Sequence, residues 1–223
     1  MPPLEQVLIE RIAGIRARDS WAPILVVAPT GRILTSLRRL ILGRGRTIWA
    51  VHLLHHRALA ERIVESAGAR PLRVLRGRQQ KDLVAGLLSG IRDRNPLERS
   101  ASESGGALSA LLASLRDLRE ALVPPGALDG EAGPLPLARV YRAWSSELER
   151  LEGAGLGDAV SLARQAGRLA AGAPIIERAA AVLHFGAYDL TGANRDRDVV
   201  HNHATAIGAF QIFSDQCFVE RSR

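Results

Sequence analysis

The chain has 223 residues, 47% of them hydrophobic, with a formal net charge of +7 and a sequence pI near 10.9. That length suits one compact α/β domain, or a domain carrying an insertion. No apolar run approaches the ~20 residues of a membrane span, and with Cys217 the only cysteine an intrachain disulfide is excluded, so the predicted setting is reducing and cytoplasmic.

The opening residues, MPPLEQVLIERIAGIRARD, carry acidic groups and a helical period, unlike a secretory leader. Residues 3–18 read as an amphipathic helix with Leu4, Val7, Leu8, Ile12 and Ile15 on one side. A buried-type strand follows at Ile24–Ala28, then a polar turn, Pro29-Thr30-Gly31-Arg32. The next helix, near 31–42, has Thr30 as its N-cap. Its period puts Ile33, Leu34, Leu37, Leu40 and Ile41 inward and Arg32, Ser36, Arg38 and Arg39 outward. Gly43 and Gly45 end it.

A second strand is expected at Thr47–Val51, with a helix near 54–67. A third short strand is expected at Leu72–Leu75, with a helix near 78–93. The alternation of strand and helix predicts a parallel sheet. Residues 94–106 are small and polar and read as a loop. Beyond them Leu108, Leu111, Leu112, Leu115, Leu118 and Leu122 mark a helix that Pro124-Pro125-Gly126 stops. A turn-rich patch at 129–136 precedes a helix carrying Leu137, Val140, Tyr141, Trp144, Leu148 and Leu151. Asp158 then caps a shorter helix reaching about Ala171. A strand at Ala179–Phe185 resumes the sheet. The predicted organisation is an α/β core over 1–93 and 178–200, an all-helical insertion over 94–177, and an atypical tail over 201–223. Leu190 is the last leucine, and the tail holds Phe210, Phe213, Phe218 and Cys217. The abrupt change of composition reads as a truncated or frame-shifted end, with a natural interaction tail as the alternative.

Strand, tight turn and helix at 24–42 is how an α/β domain builds a phosphate site. Against the helicase form of the Walker A loop, A-x-x-G-x-G-K-[ST], Ala28, Gly31 and Thr35 match, while Ile33 and Leu34 replace the second glycine and the lysine. A leucine carries no charge to the β/γ-phosphates, and a β-branched isoleucine crowds the backbone's approach to them. Lys81, the only lysine, lies in another helix. Residues Ala28, Pro29, Thr30, Gly31, Arg32 and Thr35 are therefore expected to form a vestigial nucleotide loop. The bland alternative is that any strand–turn–helix of a parallel sheet has this form. A second ATPase element, the acidic pair of D-E-x-Q-D, falls on Phe185 and Gly186, with Tyr188 at the glutamine and Asp189 at the last aspartate. The pair's carboxylates would hold Mg²⁺ and position water, and both are absent.

VVAPTGRILTSLRRLI, TIWAVHLLHHRALAERI, GRQQKDLVAGLL, LRDLREALVPPGAL and FGAYDLTGANRD, in that order, resemble the N-terminal region of AddB-like subunits. These belong to helicase–nuclease complexes of the AddAB/RecBCD type, with a C-terminal PD-(D/E)XK nuclease domain. The resemblance spans about residues 20–196. It implies a P-loop-type, superfamily 1 helicase-like parallel sheet with an all-helical insertion, serving as a DNA-tracking scaffold rather than a motor in double-strand break repair. It implies DNA and an AddA/RecB-like helicase subunit as partners. No cofactor, metal or membrane is expected, and no PD-(D/E)XK pattern occurs. In active relatives the turn after the second strand contacts single-stranded DNA, here Val51–Arg57.

Nearly all the positive charge is arginine, which suits bidentate phosphate contacts, although a genomic preference for arginine over lysine would give the same total. Arg38, Arg39, His52, His55 and Arg57 are the DNA-binding candidates. His52, His55 and His56 could share a helical face, but no nearby Cys, Asp or Glu completes a metal set, and packed or solvated histidines are expected. Asp158 and Asp189 read as helix-start residues rather than a catalytic carboxylate pair. Two further readings stand beside the scaffold: an active P-loop nucleotide hydrolase with an atypical loop, and a non-functional fragment.

Overall fold

The computed structural model describes residues 4–43, 49–130 and 133–185. Those residues fold as an α/β protein with a small parallel sheet and divide into two compact units. Unit 1 comprises 1–70 and 165–190, and unit 2 comprises 71–164.

In unit 1, α1 (Leu4–Arg18) leads into β1 (Ile24–Ala28), α2 (Gly31–Gly43), β2 (Val51–His55) and α3 (His56–Ser66). The second strand begins at Val51, where the sequence pattern places its end: Trp49 and Ala50 form a turn, Ala50 with a left-handed φ of 52°, and Thr47 and Ile48 of the expected strand lie outside the described residues. β1 lies at the centre of a three-stranded sheet, pairing in parallel with β2 from Ile24↔Val51 to Ala28↔His55. On its other side it pairs with the last described strand, β7 (Ala181–His184), from Ile24↔Ala181 to Val27↔His184.

All five β1 residues are buried, as a strand covered on both faces requires. On one face Ile24, Val26, Val51, Ala181 and Leu183 pack with Leu8, Ile9, Ile12 and Ile15 of α1 and Leu37 and Ile41 of α2. The other face is covered by α3, whose Leu59, Ala60, Ile63 and Val64 are buried.

In unit 2 the order is β3 (Arg73–Val74), α4 (Gly77–Ser89), α5 (Pro96–Glu103), α6 (Gly105–Glu120), β4 (Asp129–Gly130), β5 (Gly133–Pro134), α7 (Ala138–Glu152) and β6 (Leu156–Gly157). Three expectations are corrected here. The third predicted strand does not join the sheet of β1; β3 pairs in parallel with β6 instead. The polar stretch 94–106 is not a loop. Asn95 caps α5, its side chain accepting from the Glu98 N–H while Glu98 accepts from the Asn95 N–H, each at 2.9 Å, and Pro96 fits the first turn. The predicted borders at 93/94 and 177/178 also differ from the observed ones. The β3–β6 pairing, and the packing of Val84 and Leu88 of α4 against Leu111, Leu115, Tyr141 and Trp144, place residues 71–93 in unit 2. With β3–β6 and the β4–β5 ladder, this unit is not all-helical.

Asp158 caps α8 (Ala159–Leu169) as expected, its Oδ1 accepting from the Ser161 N–H at 2.7 Å. Its Oδ2 accepts from Arg119 Nε at 2.8 Å, and Arg119 Nη2 donates to Ser161 Oγ at 3.0 Å, in a buried network. The unit boundary falls within α8, and α9 (Pro174–Glu177) precedes β7.

Candidate functional site

The three parallel strands of unit 1 bring their carboxyl ends to one edge. Ala28 is in register with His55 and Val27 with His184, and the Phe185 N–H donates to the Val27 carbonyl at 2.8 Å. The turn Pro29–Thr30 and the start of α2 stand at this edge, in the position where a parallel sheet offers helix N–H groups to an anion.

The predicted loop residues are together, but the hydroxyls of Thr30 and Thr35 are engaged internally. Thr30 Oγ1 accepts from the Ile33 N–H at 3.4 Å, giving the expected cap. Thr35 Oγ1 donates to the Gly31 carbonyl at 2.9 Å, one turn back along α2. Ile33 packs partly buried against the α1–α2 core, and Leu34 is half-buried. Lys81 belongs to unit 2, where its Nζ donates to the Gly105 carbonyl at 2.9 Å.

Phe185, aligned with the aspartate of the acidic pair, is buried among Leu183, Ile24 and Val26. A phenyl ring seated in the core offers no oxygen to a metal. Gly186, Tyr188 and Asp189 lie outside the described residues. Among the described residues no group of three or more His, Cys, Asp or Glu is placed to hold a metal ion. Among the described residues, the edge can present N–H groups and the exposed Arg32 to an anion.

The histidines do not share a helical face. His52 and His55 lie on β2, where alternation sends them to opposite sides of the sheet. His52 Nδ1 lies 3.5 Å from Arg62 Nη1 of α3. Burial, and then the Arg62 charge, lower its pKa from the ordinary value. His55 caps α3, its Nδ1 accepting from the Ala58 N–H at 3.0 Å. That ring occupies the helix-start donor that a phosphate would otherwise use. His56 stacks on His184 of β7, centroids 5.8 Å apart and planes 29° from parallel. Burial, followed by the neighbouring His55, lowers its pKa.

The arginine candidates are not gathered in one place. Arg57 is exposed on α3 and paired with Glu61 at 2.8 Å. Arg38 and Arg39 are exposed on α2, about two turns beyond the loop on a helix packed against the opposite face of the sheet. With Arg32, Thr35 and Ser36 they form a polar stripe on α2. Among the described residues none of its three arginines makes an ion pair. The stripe thus differs from the β2–α3 turn, where Glu61 offsets the charge of Arg57.

Sequence reasoning did not find His184, Arg62, or the exposed Trp21 and Trp49 beside Arg16. Each tryptophan sits just ahead of a strand, Trp21 before β1 and Trp49 before β2, and nothing in residue type announces their exposure. No described helix is long and apolar enough to cross a membrane. Compared with known proteins, the chain matches no family model, and no curated protein matches it.

Proposed function

We propose that the chain is a catalytically inactive, helicase-like DNA-binding scaffold, similar to the N-terminal region of an AddB-like subunit of double-strand break repair. In this reading unit 1 is a P-loop-type core, unit 2 is its inserted domain, and an AddA/RecB-like helicase subunit is the partner. The observation that carries the reading is the turn after β1. It stands at the carboxyl end of the central strand of a parallel sheet, as a phosphate loop would, yet Leu34 takes the lysine position and the core-packed Phe185 takes that of the acidic pair. The α2 stripe supports DNA as the ligand, because guanidinium groups without carboxylate partners favour phosphate.

The test is binding of a labelled single-stranded oligonucleotide, with ATP turnover measured on the same preparation. Binding is expected at low salt and is weakened in Arg38→Ala/Arg39→Ala. The slope of log affinity against log salt should fall by about 0.7 for each phosphate that the variant no longer neutralises. ATP turnover should stay at background. Turnover abolished by Thr35→Ala, or no oligonucleotide binding at low salt, would overturn the proposal.

A further inference from the structure

Four large hydrophobic side chains are exposed among the described residues: Trp21, Leu42, Trp49 and Leu135. Three of them gather at the amino end of the unit 1 sheet, opposite the edge that carries the loop. Trp21 precedes β1, Trp49 precedes β2, and Leu42 ends α2, which runs back from the carboxyl end of β1. Trp21 is 70% exposed and Trp49 65%. Their ring centroids are 6.0 Å apart with planes at 89°, so each indole keeps aromatic surface open to solvent. Two adjacent exposed indoles are costly in water, and here the backbone is committed to the arrangement. Ala50, immediately after Trp49, holds a left-handed φ of 52° that alanine disfavours.

Positive charge is built into the same place. The Arg16 guanidinium donates through Nη1 to the Ser20 carbonyl and through Nη2 to the Trp49 carbonyl, tying the two tryptophan-bearing segments together. Its Nε is buried without a hydrogen-bond partner, and no carboxylate pairs with Arg16 among the described residues. Asp19 has its Oδ1 turned to the Trp21 N–H at 2.9 Å. Aromatic faces beside the Arg16 guanidinium, whose Nη1 and Nη2 donate to carbonyls and not to a carboxylate, match a ligand that is planar and anionic at once, with its bases unpaired enough to stack. A purely apolar protein partner would leave the Arg16 charge unanswered.

We propose that Trp21 and Trp49 form a base-stacking platform for single-stranded nucleic acid, with Arg16 supplying charge toward its phosphates. The inference rests on the nucleic-acid reading above but uses a different surface from the α2 stripe, so the two can fail separately. The chain has three tryptophans, and Trp144 is fully buried in unit 2. Quenching of tryptophan emission by an oligothymidylate therefore reports on Trp21 and Trp49. The expected result is saturable quenching in the full chain. Affinity measured by oligonucleotide anisotropy should fall about 10-fold or more in Trp21→Ala/Trp49→Ala. The salt slope should be unchanged in that variant, and Trp49→Phe should retain part of the affinity. Because both side chains are exposed, the variants should keep the thermal midpoint of the parent, which separates a stacking defect from a folding defect.

Binding without quenching, and unaltered in the double variant, would overturn the platform while leaving the nucleic-acid reading in place. Concentration-dependent self-association through the indoles, with no response to oligonucleotide, would identify a protein contact and overturn it too. Quenching that persists in Arg38→Ala/Arg39→Ala with unchanged affinity would keep the platform and remove the α2 stripe. No binding at low salt removes both.

Discussion

Replacing Asp158 by asparagine separates two tasks that one carboxylate performs. Its Oδ1 accepts the Ser161 N–H at the start of α8, and its Oδ2 faces Arg119 Nε at 2.8 Å. Asparagine caps a helix about as well as aspartate, so the first bond survives. The charge does not, and Arg119 is only 4% exposed. Removing one partner of a buried ion pair costs about 3–5 kcal/mol, because the other charge stays buried without compensation. Here Ser161 Oγ at 3.0 Å and Glu152 at 3.7 Å remain beside the guanidinium, which places the expected loss near the lower figure, about 3 kcal/mol. Asp158→Ala removes the cap as well and should cost about 1 kcal/mol more. Arg119→Met combined with Asp158→Asn removes the stranded charge and should recover much of the loss.

The assay is urea unfolding followed through the buried Trp144, in a background where Trp21 and Trp49 are phenylalanine so that the signal reports unit 2. Against a total stability of about 5–15 kcal/mol, 3 kcal/mol moves the midpoint well beyond measurement error. An Asp158→Asn variant within ~0.5 kcal/mol of the parent would refute the reasoning from buried charge. So would equal losses for Asp158→Asn and Asp158→Ala, since the cap would then contribute nothing.

Gly157→Ala should destabilise unit 2 by about 1–3 kcal/mol, since the added methyl would sit 2.8 Å from Ser161 Cβ and 3.3 Å from Leu72 Cδ1; an unchanged midpoint in urea unfolding would contradict it. Glu98 is fully buried; burial alone pushes its pKa up, but hydrogen bonds from Arg139 and the Asn95 N–H, with the charges of Arg139 and Arg94, bring it below the ordinary 4.5. Its contribution is therefore complete above that value and is lost as pH falls through the lowered one. The Glu98→Gln variant should show a shallower loss of unit 2 stability on acidification than the parent. His56, with its pKa lowered by burial against β7 and by His55, favours the neutral ring. Unit 1 should weaken as pH falls below the ordinary histidine value of 6.5, and His56→Phe should flatten that part of the curve in a thermal-midpoint series.

Regular spacing made much of this fold legible. Ile24–Ala28 is a run of apolar residues bounded by Pro23 and Pro29, and α2 and α7 carry clear helical stripes, so their burial followed directly. The misses have local causes. The turn ahead of β2 holds a left-handed alanine, Ala50, which nothing in residue type announces. α5 was hidden by its small polar residues, although Asn95-Pro96-Leu97-Glu98 is a capping box with proline in the first turn and could have been recognised. The partner of β3 is set by tertiary contact with a strand on the far side of α7, and a two-residue strand carries no pattern that names its neighbour. At the candidate site the loss of lysine was visible, whereas the seating of Phe185 in the core and the use of His55 as a helix cap needed coordinates. The Arg119–Asp158–Ser161 network was half legible, because the cap followed from position and the arginine did not.

The placement of β1 also carries a consequence for how the chain is made. Its two edges are filled at very different times during synthesis. β2 arrives after a single helix, while β7 emerges only after the whole of unit 2 has been added. Until then Ile24–Ala28 offers one unpaired, entirely apolar edge, the kind of edge that invites pairing with another nascent chain. Closing it requires a long-range contact with a large loop penalty, which unit 2 reduces by collapsing on its own core first. The inserted unit is thus also a timing element: the edge of the central strand stays open at least until residues 71–164 have been added.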